Sequence, residues 1–375
     1  LVKDLLKTYN LPIKLDVTKI KINKIKLLND IYKNLFLDKK KIDKYPRYIS
    51  VKKIGSPKVK EIKDFDFIND TILKVLFWMT KKEDIKYFDP QISVKEQAVA
   101  ERLQFIPGTK TPLPSEIEIS ESGMCNRKCS FCPRSAPDYE HKNEFINFDL
   151  HKKLCDQLKD LNYSGLIIYS GFVEPMLDKN IYKLVNYAKT TLSKARIDMI
   201  SNGDVLNEKR LKKLYDSGLD RLQISLYDGE EQHSKFIDLG KKLKLTNKKY
   251  VLRPRYLPEE QDFGITLSNR GGMLENAEYV IAPRKEKLRK KCFYPSYKFF
   301  LDYNGDVLMC SHDWGKKNIL GNLKNENFLD IWLSEKFNLA REKLNNADRS
   351  LSPCNVCDVK GDLIGKKHHE AWKNV

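Results

Sequence analysis

Residues 124–134 read Met-Cys-Asn-Arg-Lys-Cys-Ser-Phe-Cys-Pro-Arg, which sets Cys125, Cys129 and Cys132 in a C-x3-C-x2-C spacing. Cysteine thiolates are the usual ligands of iron–sulfur clusters, and a complete cubane takes four. Three thiolates in one loop would leave one iron open to a small molecule. The same residues could be half of a zinc site completed by His141 or another side chain, or three unrelated thiols. Zinc knuckles pair two C-x2-C arms, whereas this loop has a single arm.

Working outward, the chain from about residue 115 alternates strand and helix in the rhythm of a parallel sheet. Glu116–Ser120 is a short strand feeding the cysteine loop, 149–161 a helix, and 165–169 (Gly-Leu-Ile-Ile-Tyr) a nearly continuous apolar strand. A helix at 179–190, a strand at 195–200, a helix at 207–217 and a strand at Arg221–Leu226 follow, with 250–255 and 264–267 available as fifth and sixth strands. Six βα units predict a partial, open TIM-type barrel with its functional residues at the strand C-termini.

The cysteine loop, with Phe131 just before its last cysteine, resembles the radical S-adenosylmethionine (radical SAM) superfamily. That resemblance implies a [4Fe–4S] cluster on three cysteines, with SAM at the open iron, and cleavage of SAM to a 5′-deoxyadenosyl radical that abstracts a substrate hydrogen. The second strand ends in Ser170-Gly171-Phe172-Val173-Glu174-Pro175, similar to the family's Gly-Gly-Glu-Pro element, with Val173 in place of the second glycine. By that likeness Gly171 and Glu174 serve the SAM amino group, where a carboxylate and a close backbone suit an ammonium. Ser201 and Asn202 end the third strand and Ser225 the fourth, each resembling a family position beside SAM. Arg253 and Arg255 alternate with Leu252 and Pro254, so both share one face of the fifth strand. They could meet a carboxylate or assist catalysis, or pair with acids on the outer face. Residues 269–272 (Asn-Arg-Gly-Gly) are a substrate-side candidate or a simple loop.

Cys292, Cys310, Cys354 and Cys357 form a second group, ending in C-x2-C. Asn304-Gly305 between 298–302 and 307–309 predicts a hairpin that carries Cys310 back towards Cys292. Helices at 328–334 and 335–344 lead on to Cys354. Four thiolates suit structural zinc or a fully ligated cluster. The order resembles the SPASM/Twitch extension of radical SAM enzymes, which implies an auxiliary [4Fe–4S] cluster held by all four. Cys155, beside Leu154 and Leu158 on a helix, is then the eighth and a core residue. Met124 and Met309 read as hydrophobic cover, His312 and Asp313 as neighbours of substrate or cluster, and His368-His369 as a surface pair in a charged tail.

The expected fold class is α/β: a partial (β/α)6 TIM-type barrel (111–285), a small C-terminal α+β cysteine-rich auxiliary-cluster domain (286–375), and an N-terminal helical and hairpin extension (1–110). In the extension, 19–37 has apolar residues at helical spacing, 48–53 and 58–63 alternate around Gly55-Ser56-Pro57 as a hairpin, and 65–79 reads as a helix. A linker is expected at 107–114.

The net charge of +18 is carried mostly by lysine, and no basic stripe interleaved with aromatics argues for nucleic acid. Nothing near the first residue reads as a secretory signal, and Leu1 in place of Met points to a start upstream or misassigned. The longest apolar run, 71–79, is too short to cross a bilayer. A cytoplasmic, reducing setting is expected, in which clustered cysteines mean metal or catalysis rather than disulfides. The resemblance implies an oxidoreductase, a dehydrogenase or epimerase acting on a sugar- or aminocyclitol-like substrate, with an external reductant such as flavodoxin or ferredoxin. Maturation of a ribosomal peptide whose leader binds residues 1–110 is the alternative. A non-catalytic iron–sulfur or zinc protein is a more distant one.

Overall fold

The protein is described from a computed structural model covering residues 47–51, 57–61, 90–256 and 268–375. It divides into two compact units, Leu1–Pro90 with Pro258–Phe263, and Gln91–Leu257 with Gly264–Val375. Of the first unit the described part is an antiparallel hairpin, β1 (Arg47–Val51) and β2 (Pro57–Glu61), with Ile49 opposite Val59. Pro57 opens its strand, where a missing N–H is tolerated. The helices expected at 19–37 and 65–79 and the strand at 264–267 lie outside the described residues.

In the second unit β3 (Glu116–Ser120), β4 (Leu166–Tyr169), β5 (Arg196–Ser201), β6 (Arg221–Leu226) and β7 (Tyr250–Pro254) lie side by side, all parallel. Helix α1 (Pro90–Glu101) precedes them. The helices α2 (Phe148–Asp160), α3 (Ile181–Thr191), α4 (Glu208–Asp216) and α5 (Glu230–Lys242) join successive strands. Asparagine opens two of these helices: Asn147 accepts from the Asp149 amide at 2.7 Å and Asn207 from the Arg210 amide at 2.9 Å.

One face of the sheet (Ile117, Ile119, Ile167, Ile197, Leu222, Ile224) packs with Leu154, Leu158, Leu184 and Leu211 of the helices in a single apolar core. Cys155 belongs to this core, as expected. The opposite face alternates to polar residues: Glu116 and Glu118 on β3, Asp198 on β5, Ser225 on β6.

The C-terminal hairpin is not a separate sheet. After the short helix α6 (Tyr294–Tyr297), strand β8 (Lys298–Asp302) docks in parallel on the free edge of β3, with Ile117 opposite Phe299. β9 (Asp306–Leu308) and β10 (Ile319–Asn322) extend the sheet antiparallel, so all eight strands are continuous. Every residue of β8 is buried, and its paired phenylalanines need cover on both faces, which an isolated hairpin cannot give. Helices α7 (Phe328–Trp332), α8 (Glu335–Asn345) and α9 (Lys366–Trp372) complete the unit.

Helix α9 corrects one expectation. His368 and His369 are buried rather than at the surface. His369 stacks on Phe293 with ring centroids 4.5 Å apart, and burial pushes His368 down to about pKa 4. The lysines around them hide a buried stripe one turn deep.

Candidate active site

The loop after β3 carries Cys125, Cys129 and Cys132 across the C-terminal end of the sheet. It is tightened by a hydrogen bond from the Cys132 amide to the Cys129 carbonyl at 2.9 Å, and by Ser135 Oγ donating to the Cys132 carbonyl at 2.8 Å. Arg127, between the first two cysteines, pins the loop down. Its Nε donates to Asp204 beyond β5 at 2.7 Å, its Nη1 donates to Asp228 beyond β6 at 2.8 Å, and it lies over the Tyr227 ring. Asn126 adds a 2.6 Å bond to the same Asp204. These partners are 77 and 101 residues from Arg127, so no local pattern could have pointed to them.

The three thiols open on a cavity of about 190 Å³. Phe131, Gly171, Glu174, Ser201, Asn202 and Ser225 all line it, so the residues expected around SAM converge on one space. Glu174 is fully engaged: Oε1 accepts from Ser201 Oγ at 2.7 Å and the Met176 amide at 3.1 Å, and Oε2 accepts from the Asn202 amide at 2.6 Å. Burial outweighs those donors and raises its pKa to about 7. Gly171 sits at φ +105°, where a Cβ would press within 2.9 Å of Phe300, so only glycine fits at the first position of the motif. Arg270, from the 269–272 segment offered as a substrate-side candidate, also lines the cavity, as do Tyr227 and Trp314, which were not singled out from the sequence. Trp314 packs against Phe172 with ring centroids 4.4 Å apart and planes tilted by 41°.

Below the cavity lies a buried charge group. Ser170, a cavity residue, donates to Glu118 at 2.6 Å, and Lys298 of β8 bonds Glu118 and Glu116, each at 2.6 Å. Burial works against the Lys298 charge, but the two carboxylates outweigh it and raise its pKa.

Arg253 and Arg255 do not line the cavity. Arg253 is in register with Ser225 on the neighbouring parallel strand, and partners in register present side chains to the same face. Leu252, the next residue, packs with the helix-side core. Arg253 therefore shares the polar inner face with Ser225, which removes the outer-face alternative. The Arg255 charge acts on the Tyr227 phenol.

Cys292, Cys310, Cys354 and Cys357 surround a second, small cavity closed by Met309, Tyr294 and His312. Gly361 lies so close that a Cβ there would overlap Cys292 Sγ, and the cradle is shaped around the thiol. Burial raises all seven cysteine pKa values, to about 11 at Cys129 and Cys357, so loading a metal must displace protons from thiols. Among the described residues no three ligating side chains converge closely enough for a single ion. Four thiolates around one cavity are the complete ligand set of a cubane cluster, whereas the three of the first loop leave one iron without a protein ligand. His141 is not among the residues lining the first loop's cavity, and its Nδ1 lies 3.1 Å from Arg134 Nη2. Of the pair after Cys310, His312 faces the thiol cavity, while Asp313 accepts from the Lys317 and Asn318 amides and shapes the following turn.

Comparison with known proteins gives the same order of parts. The model of the radical SAM superfamily matches residues 119–255, and that of an iron–sulfur cluster-binding domain matches 292–358. An S-adenosyl-L-methionine-dependent 2-deoxy-scyllo-inosamine dehydrogenase from Niallia circulans is 31% identical over 245 residues, 65% of this chain and 92% of that protein. A GTP 3′,8-cyclase of Staphylococcus haemolyticus is 32% identical over 116 residues, 30% of this chain and 33% of that protein. The crystal structure of BtrN in complex with AdoMet and 2-DOIA superposes with a TM-score of 0.55 at 29% identity, covering 66% of this chain and 94% of that one. The chain belongs to the radical SAM superfamily and carries a SPASM-type cluster domain. It is an oxidoreductase with a SAM-binding [4Fe–4S] cluster and an auxiliary cluster. Among the described residues no helix is long and apolar enough to cross a membrane.

Proposed function

We propose that this enzyme oxidises an alcohol carbon of an aminocyclitol- or sugar-like small molecule. The observation that carries the reading is the likeness to the 2-deoxy-scyllo-inosamine dehydrogenase along 92% of that protein's length. The same relative favours a small molecule over a peptide substrate.

When bound, the SAM-loaded cluster supplies a 5′-deoxyadenosyl radical that takes a hydrogen atom from the substrate carbon, and the auxiliary cluster supplies a sink for one electron. Cys125, Cys129 and Cys132 would hold the first cluster, and Cys292, Cys310, Cys354 and Cys357 the second. Glu174 would accept from the SAM ammonium, with Ser201 and Asn202 fixing its carboxylate and Ser225 offering a hydroxyl beside it. Phe131, Phe172 and Trp314 would keep water from the reacting carbon. Arg253 or Arg255 would orient the substrate hydroxyl, whose proton must leave as the carbonyl forms. Carbon then loses one hydrogen atom, oxygen one proton and the substrate one electron, which balances a two-electron oxidation.

Anaerobic reconstitution with strong reductant, SAM and 2-deoxy-scyllo-inosamine or related aminocyclitols tests this. The expected result is 5′-deoxyadenosine together with a product two hydrogens lighter. Formation of 5′-deoxyadenosine with no oxidised product from any aminocyclitol or sugar would overturn the substrate class. Failure to cleave SAM would overturn the assignment of the cavity.

A further inference from the structure

Arg349 is among the largest fully buried side chains of the protein, 2% exposed, and it lines the small cavity of Cys292, Cys310, Cys354 and Cys357. A buried charge is ordinarily matched by an opposite one, because an isolated charge inside a protein is costly. The donors of Arg349 run to backbone carbonyls instead. Nε donates to Lys290 at 2.8 Å, and Nη2 to Lys291 at 3.0 Å and to Val359 at 3.2 Å. A carbonyl satisfies a donor but carries no net charge. Among the described residues no carboxylate accepts from this guanidinium.

The three carbonyls belong to the chain on either side of the thiols. Lys290 and Lys291 lead directly into Cys292, and Val359 comes two residues after Cys357. The guanidinium is thus fixed to the cavity wall by the same segments that deliver the thiols. Burial raises the Cys292, Cys354 and Cys357 pKa values, and the Arg349 charge pulls each of them back down. Asp362 acts on Cys292 in the opposite sense; it follows Gly361, the residue packed on that sulfur, and its buried Oδ1 has no hydrogen-bond partner.

A cubane cluster on four thiolates is an anion, and each electron it takes up adds to its negative charge. A fixed positive charge in a buried wall favours the more negative state, and water does little to screen it. We propose that Arg349 is the built-in counter-charge of the second thiol site and raises the reduction potential of the auxiliary cluster held there. The anionic cluster then serves as the partner that no carboxylate provides. The inference deepens the proposed function, in which this cluster takes one electron from the substrate, and it rests on the four thiols holding a cluster.

A redox titration of the reconstituted full chain tests this with neither substrate nor SAM. Cys125→Ser, Cys129→Ser and Cys132→Ser are combined, so that the second cluster alone gives the electron paramagnetic resonance signal. In that background Arg349→Gln removes the charge but keeps a donor for a carbonyl, whereas Arg349→Lys keeps the charge and loses the fork. Arg349→Gln should lower the potential by a roughly tenfold change in the reduction equilibrium, about 59 mV for one electron, and Arg349→Lys should stay near the parent. An unchanged potential in Arg349→Gln, or an equal fall in both variants, overturns the proposal. Iron and sulfide analysis covers variants that do not load. A full cluster in Arg349→Lys with none in Arg349→Gln shows that the site demands the charge and supports the proposal. Failure of both to load shows that the arginine serves the carbonyls alone and overturns it, as does zinc in place of iron. No outcome depends on which molecule the enzyme oxidises, so this proposal and the substrate assignment can fail separately.

Discussion

The Glu174 carboxylate accepts a 2.6 Å hydrogen bond from the backbone amide of Asn202, joining the end of β4 to the end of β5 across the floor of the active-site cavity. Burial sets its pKa at about 7 in spite of that bond, so the carboxylate gains its charge near neutrality. A SAM ammonium pairs with the ionised form. SAM affinity should therefore fall as pH drops below about 7, approaching tenfold per pH unit. Glu174→Gln should bind SAM more weakly at pH 8 and lose the pH dependence. Titration of SAM between pH 6 and 8 checks both, and equal slopes in the two proteins would sink the assignment.

The two groups of thiols should load independently, because they surround separate cavities. With both clusters in place, about eight irons per chain are expected. Cys310→Ser or Cys354→Ser should bring this to about four while SAM binding survives. Cys125→Ser should also leave about four, but abolish SAM binding. Iron and sulfide analysis with SAM titration gives the answer, and zinc in the second site would refute the cluster there.

How much of this was legible from the chain depends on the range of the interaction. The parallel strands were, because Leu166–Tyr169 is a short apolar run between helical patterns; the first thiol group was, because its spacing is local, and the second through the Asn304-Gly305 turn and its terminal C-x2-C. The hairpin after Cys292 was legible from Asn304-Gly305, but not its docking on β3. The Lys298–Glu118 contact that marks this docking joins residues 180 apart. Arg127 was passed over for the same reason, since its meaning lies in Asp204 and Asp228. His368 and His369 were misread because composition dominated where a single helical turn of burial decides.

Arg127 makes a testable latch on the cluster loop. Its side chain is 18% exposed and Asp204 25%, so solvent screens the pair and its worth in stability should stay near or below about 1 kcal/mol. The larger effect should be on the loop itself. Arg127→Met and Asp204→Asn should each speed loss of the first cluster in air, and the double variant should be no worse than the worse single one. Bleaching of the cluster absorbance follows this, and strictly additive rates would show that the two side chains do not act together.

Lys298 ties β8 to β3 through Glu116 and Glu118, and it does so almost without solvent, so removal of one partner leaves uncompensated charge inside the sheet. Lys298→Met should destabilise the protein by about 3–5 kcal/mol, whereas replacing the whole group by apolar residues of similar volume should cost much less. The pH dependence follows from the two directions. The Glu116 pKa is lowered; burial alone would raise it, but the Lys298 ammonium beside it prevails. Its contribution is present above the ordinary carboxylate range and fades as pH falls through the depressed one. Lys298 has a raised pKa, so its part is lost only in strong base. The deficit of Lys298→Met should accordingly be full at neutral pH and shrink towards acid. Denaturant unfolding at pH 7 and pH 4 reads this, and a deficit that grows on acidification would contradict the ion-pair account.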